Sequence, residues 1–118
     1  MNKFRYYCRI AKKMSKTREE YELLKQYLEM FLEQRKGDIR IQIINRLLES
    51  EDYAYSLTKK ICTQRTETSN SNIDFHLRKL LEYKLISKRP GTRYKQKYFI
   101  NKNFNYRIFI IVKQILNS

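Results

Sequence analysis

Glycine and proline are almost absent from this chain of 118 residues, which holds two glycines and one proline. Proline interrupts helices, and glycine supplies the backbone freedom that tight turns need. A chain with so few of them favours helices joined by short connections, and its 42% hydrophobic residues are enough for one core. We therefore predict a mainly α fold, as a single domain over residues 1–118.

Apolar residues recur at helical spacing in five segments. Thr17 and Glu20 have the spacing of a capping box, which marks the start of a helix. Gly37 suits the left-handed end of that helix, and Asp38 suits the cap of the next one. A polar turn is expected at 49–52. The predicted helices span residues 17–36, 38–48, 53–62, 71–83 and 104–116, the last capped by Asn101 or Asn103.

The apolar period changes from helical to alternating after Lys84. Residues 85–89 and 93–100 flank a Pro90-Gly91 pair, which suits a type II turn. In the second segment the cations alternate with tyrosine and isoleucine, as on the two sides of a strand. The sequence therefore predicts one small β-hairpin with a cationic side.

The positive charge is concentrated in two blocks. The chain has 26 basic and 12 acidic residues, a net charge of +14. Residues 1–16 hold six basic and no acidic residues, and residues 70–101 hold eight basic and two acidic ones, whereas residues 37–69 are balanced. General basicity, as in some ribosomal proteins, would not be distributed in this way. An anionic partner such as nucleic acid is expected.

Other classes of protein find little support. Cys8 and Cys62 lack metal-ligand spacing, so free thiols are expected, with a disulfide within or between subunits as the alternative. His76 has no second ligand at helical spacing, which favours a structural histidine over a metal or catalytic one. No glycine-rich phosphate loop or catalytic constellation is present. We expect no enzymatic activity, no metal and no cofactor.

The longest apolar run, residues 108–112, is much too short to span a bilayer. The basic N-terminus lacks the continuous apolar stretch of a secretory signal. A soluble cytoplasmic protein without membrane contact is therefore expected.

Residues 39–101 resemble a winged helix-turn-helix domain. The resemblance is carried, in order, by an apolar helix beginning Ile39-Arg40, the short helix Leu57-Thr-Lys-Lys-Ile61, a Ser/Asn-rich turn, His76-Leu77-x-x-Leu80, and Leu85-Ile86 leading into a hairpin that ends Tyr98-Phe-Ile100. It is most similar to ArsR-like transcriptional regulators, with MarR-like and PadR-like proteins as relatives. Small winged-helix proteins of this composition also resemble regulators of archaeal viruses and plasmids, which would place the chain in a host cytoplasm.

The resemblance implies binding of double-stranded DNA, with the helix at 71–83 in the major groove. Asparagine pairs with adenine there, arginine with guanine, and apolar groups contact the thymine methyl. The hairpin, residues 85–100, would contact phosphates or the minor groove. The alternatives are a solvated helix face and charges that protect a sheet edge. The predicted DNA-binding residues are Asn70, Ser71, Asn72, Phe75, Arg78, Lys79, Lys88, Arg89, Arg93, Lys95 and Lys97.

The segments that flank this core, 1–36 and 103–117, predict a homodimer. The last helix is apolar on nearly every side, and the apolar stripe of the helix at 17–36 is wider than one core face needs. A two-fold dimer would cover both, and one large monomer core is the alternative. The predicted interface residues are Leu24, Tyr27, Leu28, Phe31, Phe104, Ile108, Ile111, Val112 and Ile115.

A sequence-specific, homodimeric transcriptional regulator is the function that these features favour. The alternatives are a non-specific architectural DNA binder, a winged-helix module for protein contacts, and a binder of RNA or single strands, which the ten tyrosines and six phenylalanines suggest. The basic and aromatic N-terminal arm would contact DNA or pack in the dimer. No small-molecule effector is evident.

Overall fold

The structure is a computed structural model that describes residues 3–32, 37–62, 70–90 and 96–117. These residues form six helices, α1 Lys3–Met14, α2 Arg18–Leu32, α3 Gly37–Glu49, α4 Ala54–Cys62, α5 Asn70–Glu82 and α6 Tyr106–Leu116. They also form three strands, β1 Asp52–Tyr53, β2 Ile86–Lys88 and β3 Lys97–Ile100. The chain divides into two compact units: the terminal unit holds α1, α2 and α6, and the central unit holds the other elements. The single domain predicted from the sequence, with a basic arm and helix at 1–36, a winged-helix core at 38–101 and a C-terminal helix at 103–117, stays a prediction.

In the terminal unit, the predicted capping box at the start of α2 is present. The Thr17 hydroxyl oxygen accepts a hydrogen bond from the backbone N–H of Glu20 at 3.1 Å. Glu20 reaches back one residue further than expected and accepts from the N–H of Lys16 at 3.3 Å. Its second oxygen binds Arg107 of α6 at 2.8 Å. The box therefore both starts α2 and ties it to α6.

The start of α6 differs from the prediction. Asn105 is the N-cap, and its side chain accepts from the N–H of Ile108 at 3.0 Å, whereas Asn101 or Asn103 was expected. Asn101 is used elsewhere, because its amide donates to the Ser87 hydroxyl at 2.7 Å. The N–H of Asn105 in turn donates to the Tyr27 hydroxyl of α2 at 2.9 Å.

The core of the terminal unit contains most of the predicted dimer-interface residues. The stripe of α2 is wide because both α1 and α6 pack on this helix within one chain. Phe104 and Ile111 are only partly buried. The other seven are at most 3% exposed, so no partner chain is needed to cover them: Leu24, Tyr27, Leu28, Phe31, Ile108, Val112 and Ile115. The predicted basic arm is the helix α1, whose Ala11 is fully buried.

In the central unit, three strands form an antiparallel sheet in the order β1-β3-β2. Asp52 pairs with Tyr98, and Ser87 pairs with Phe99. The helix predicted at about 53–62 is α4, and the segment predicted as a polar turn at 49–52 ends in strand β1, because the backbone of 52–53 pairs with β3, some 45 residues away. Of the predicted strands 85–89 and 93–100, residues 86–88 form β2 and residues 97–100 form β3. Residues 91–95, which include part of the predicted turn and of the second strand, lie outside the described residues.

A left-handed residue joins α5 to β2. Lys84 has a φ of 63°, a conformation that favours glycine. Its N–H donates to the carbonyl of Leu81, and the N–H of Leu85 donates to the carbonyl of Leu80, both at 3.0 Å. This pair of bonds is a Schellman motif, which satisfies the last carbonyls of the helix. The buried side chains of Leu80 and Leu85 accompany it, so the direction of β2 is fixed by the end of α5.

The described core of the central unit is mainly aliphatic. Arg40 of α3 and His76 of α5 are both fully buried. Around them lie side chains from α3, α4, α5 and the sheet: Ile43, Ile44, Leu47, Leu57, Ile61, Ile73, Leu77, Leu80, Leu85 and Ile86. Among the described residues of both units, no helix is long and apolar enough to cross a bilayer.

Candidate nucleic-acid interface

Helix α5 has one buried face and one polar face. Ile73, Leu77 and Leu80 are at most 1% exposed, whereas Asp74 and Arg78 are exposed. Lys79 is partly exposed and lies 3.8 Å from the Glu82 carboxylate. The predicted residues 70–72 occupy the first turn of α5, and their side chains are outside the described part of the chain. A helix with this division can rest on the core and present a polar face to a groove.

Phe75, predicted as a contact to thymine, is half-buried in the structure. Its ring lies edge-on to the His76 ring, with centroids 5.5 Å apart. The Arg40 guanidinium and the Lys79 ammonium each lie 5.9 Å from its centroid. Part of this ring therefore packs against Arg40 and His76, and only the exposed part is available to a partner.

The contact that orients α5 is a hydrogen bond between Arg40 and His76. The Arg40 Nε–H donates to Nδ1 of His76 at 2.9 Å, so the imidazole is the acceptor at Nδ1 and is neutral. The sequence prediction of a structural histidine agrees with this geometry. The role of Arg40 was missed, although its spacing to Ile43, Ile44 and Leu47 places it on the apolar side of α3.

The wing comprises β2, β3 and the segment between them. Lys88 is exposed at the end of β2. Lys97 is partly exposed, with its ammonium 5.3 Å from the centroid of the Tyr53 ring in β1. The predicted contacts Arg93 and Lys95 lie outside the described residues. The wing thus places two described cations on the sheet next to α5.

Arg89 differs from the other wing cations because it has an acidic partner. Its Nε and Nη2 atoms bind the two carboxylate oxygens of Glu51 at 3.1 Å and 2.7 Å. Its guanidinium also lies 4.6 Å from the centroid of the Phe99 ring. These hydrogen bonds hold the pKa of the Glu51 carboxyl below its ordinary value. Glu51 is 38 positions from Arg89 in the sequence, and the pairing of β1 with β3 brings it to the wing.

Asp74 is an exposed acidic residue of α5. Burial raises the pKa of Tyr98 in β3, and the Asp74 carboxylate raises it further. The carboxylate is therefore close enough to act on the sheet. An acid at this position repels phosphates and is suited to accept a hydrogen bond from a cytosine amino group.

Asp52 fixes the start of α4, the helix that precedes α5. Its carboxylate accepts from the Lys60 ammonium at 2.7 Å, and from the Tyr53 N–H and the Ser56 hydroxyl at 2.9 Å each. Burial raises the pKa of Asp52, but these hydrogen bonds lower it more, so that the net pKa lies below its ordinary value. The charged form of Asp52 therefore stabilises the fold.

We expect a pH dependence of stability from Asp52. Because folding lowers its pKa, its contribution is present above the ordinary pKa of the unfolded carboxyl and is lost as the pH falls through the lower pKa of the folded one. Asp52→Asn should cost about 1 to 2 kcal/mol at neutral pH and show a shallower acid decline, measured by urea unfolding from pH 7 to 3. Glu51→Gln is the control, since that exposed pair is screened by salt. Equal acid slopes for Asp52→Asn and the unchanged chain would contradict the assignment.

The described residues contain no group of three metal-ligating side chains. Cys8 in α1 is a half-buried free thiol, and burial raises its pKa. The side chain of Cys62 is outside the described residues.

Comparison with known proteins relates this chain to others by structure alone. No protein-family model matches the sequence, and no curated protein is similar to it in sequence. Among solved structures, reduced HlyU from Vibrio cholerae N16961 matches with a TM-score of 0.54 and 19% identity. The match covers 83% of this chain and 94% of HlyU. Together with the helices and the three-stranded antiparallel sheet, this likeness shows a winged-helix fold.

Proposed function

We propose that this chain is a sequence-specific, homodimeric regulator that binds double-stranded DNA. The observation that carries the proposal is the pairing of two surfaces in the central unit. The polar face of α5, with Arg78 and Asp74, lies beside a sheet that presents Lys88 and Lys97. In winged-helix proteins a helix of this kind enters the major groove while the wing contacts the backbone or the minor groove. The shared fold with HlyU supports the same use.

Asp74 favours sequence-specific binding over architectural binding. A protein that binds DNA only through its backbone gains from every cation and loses from every acid near the phosphates. An exposed carboxylate on α5 is a cost for such a protein. For a reader of base edges the same carboxylate supplies discrimination, because it selects a donor in the groove.

Helix α5 and the wing also behave as one piece. The N–H of Leu85 is bound to the end of α5, and its carbonyl accepts from the N–H of Asn101 at 3.0 Å, just after β3. Leu85 therefore connects both ends of the wing to the end of α5 by backbone hydrogen bonds. This preorganisation reduces the ordering cost of binding.

The homodimer remains part of the proposal, but the interface that we propose for it differs from the one predicted from the sequence. Most of the residues predicted for it are core residues, but the terminal unit retains exposed apolar side chains. Tyr106 of α6 is 57% exposed, and Tyr6 and Met14 of α1 are 49% and 38% exposed. Ile10 and Ile110 are partly exposed at helical spacing from them. A second copy of the chain would cover these side chains.

Arg78→Ala is expected to weaken binding to the preferred duplex by about 1 to 3 kcal/mol, and to change binding to unrelated duplexes little. The reason is that an arginine in the groove reads a guanine edge. Lys88→Ala is the matched control, since loss of a phosphate contact weakens all duplexes alike. Fluorescence anisotropy with both duplexes measures the difference. The base-reading role of α5 is excluded if the two variants lose affinity in the same pattern.

Selection of bound sites from random duplexes tests the whole proposal. A homodimer should select an inverted repeat whose half-sites are about 34 Å, or one helical turn, apart. A single selected half-site would contradict the dimer while keeping specificity. Recovery of no preferred sequence would contradict specific regulation and leave an architectural binder.

A further inference from the structure

Helix α1 carries a stripe of exposed cations that is not part of the site formed by α5 and the wing. Arg9 follows Arg5 by four residues, and Lys12 and Lys13 follow Arg9 by three and four, so the four cations share one face of the helix. All four side chains are exposed. Residues 1–18 contain no acidic residue. This cationic stripe therefore has no acid of its own segment to neutralise it.

The opposite face of α1 is already occupied. Ala11 is fully buried, and Phe4, Tyr7 and Cys8 are partly buried where α1 packs on α2 and α6. The groove between α1 and α2 adds Lys25 to the lining that Arg5 and Arg9 provide. The apolar side of α1 thus packs on α2 and α6, while the four cations stay exposed, with Arg5 and Arg9 at the edge of the groove.

We propose that the cationic stripe is a second nucleic-acid contact, which binds the phosphodiester backbone of duplex DNA without reading its sequence. From Arg5 to Lys13 the helix rises about 12 Å. One DNA strand carries a phosphate for each roughly 3.4 Å of axis, so the stripe spans about three phosphates. The inference rests on the proposed function for its partner and adds a contact in the other unit.

Two other classes of partner fit the stripe less well. A helix that binds a membrane surface inserts its apolar face among the lipids, whereas Phe4, Tyr7 and Ala11 of α1 are buried or partly buried where the helix packs on α2 and α6. Protein interfaces are depleted in lysine, whereas backbone contacts to DNA are made mainly by arginine and lysine. The spacing and the single sign of charge therefore favour phosphates.

The test is the salt dependence of duplex binding by the full chain. The variant with Arg5, Arg9, Lys12 and Lys13 all changed to glutamine should bind any duplex about 10- to 100-fold more weakly at about 100 mM salt. The slope of log K against log salt should become shallower by about two or more. Circular dichroism should show an unchanged melting temperature, since these side chains are exposed.

Matched single variants control for net charge. Lys12→Gln should weaken binding several-fold, whereas Lys102→Gln, which removes one exposed charge from the turn before α6, should change it less than about twofold. Arg5→Lys with Arg9→Lys should retain the affinity, because a phosphate contact needs only the charge. Equal effects of Lys12→Gln and Lys102→Gln would overturn the inference.

Failure of this inference can be distinguished from failure of the proposed function. If Arg78→Ala and Lys88→Ala weaken binding while the four-glutamine variant keeps the full salt slope, only the cationic stripe is excluded. If the four-glutamine variant alone weakens binding, the stripe is supported and the role of α5 and the wing is overturned. If that variant loses binding to vesicles containing about 30% phosphatidylserine but keeps duplex binding, a membrane replaces DNA as its partner.

Discussion

Replacement of His76 by leucine is expected to lower the free energy of unfolding by about 3 to 5 kcal/mol, a large share of the stability of a small protein. Leucine fills much of the volume of the ring, so the loss does not come mainly from a cavity. It comes from Arg40, whose guanidinium is fully buried and donates to His76 Nδ1 at 2.9 Å. A buried charge that loses an acceptor bears a larger desolvation cost.

Two further variants separate this explanation from general damage to the core. His76→Asn retains an acceptor near the position of Nδ1 and should cost clearly less than leucine. The double variant Arg40→Met with His76→Leu removes the charge together with its acceptor, and should recover to within about 2 kcal/mol of the original stability. Urea unfolding of these variants, and of Arg40→Met alone, measures the cycle. A double variant as unstable as the sum of its single changes would contradict the coupling.

Duplex binding is expected to weaken by about a thousand-fold or more between 50 and 200 mM salt, given about six phosphate contacts. The described wing cations available for these contacts are Lys88 and Lys97, and the sequence adds Arg93 and Lys95. A dimer would present each of them twice. Each neutralised phosphate releases counterions, and this release becomes less favourable as salt rises.

Anisotropy titrations at four or more salt concentrations measure the slope of this dependence. Lys88→Ala should reduce its magnitude by about one for each copy bound, whereas Lys102→Ala serves as the control for an exposed lysine of the same unit outside the wing. Single-stranded DNA of the same sequence should compete poorly. A slope below about two, or tighter binding to the single strand, would contradict duplex recognition by α5 and the wing.

The helices and the core could be predicted from the sequence because their signals are local. The spacing of Ile73, Leu77 and Leu80 within α5, and the Thr17–Glu20 capping box, depend on neighbours within a few residues. A winged-helix arrangement followed from the order of such segments. The same local pattern made the stripe of α2 look too wide, since it does not reveal that α1 and α6 cover it in one chain.

The features that the sequence did not predict are contacts between distant residues. Strand β1 has two residues and exists only because β3 pairs with it. Glu51 binds Arg89 from 38 positions away, and Arg40 meets His76 across 36. A charged residue is usually solvated, so Arg40 was not assigned to the core. The sequence did contain one indication that Arg40 is buried, namely its helical spacing to the apolar residues of α3.

The backbone ladder at the base of the wing has a consequence for how such a protein diversifies. The N–H of Arg89 donates to the carbonyl of Lys97 at 2.8 Å, and Leu85 binds both the end of α5 and Asn101. These backbone hydrogen bonds join the two ends of the segment between Arg89 and Lys97, and they do not involve the side chains of that segment. We expect loops of other lengths to be grafted there without turning α5. Reach along DNA and choice of sequence would then be able to evolve, or to be engineered, independently of each other.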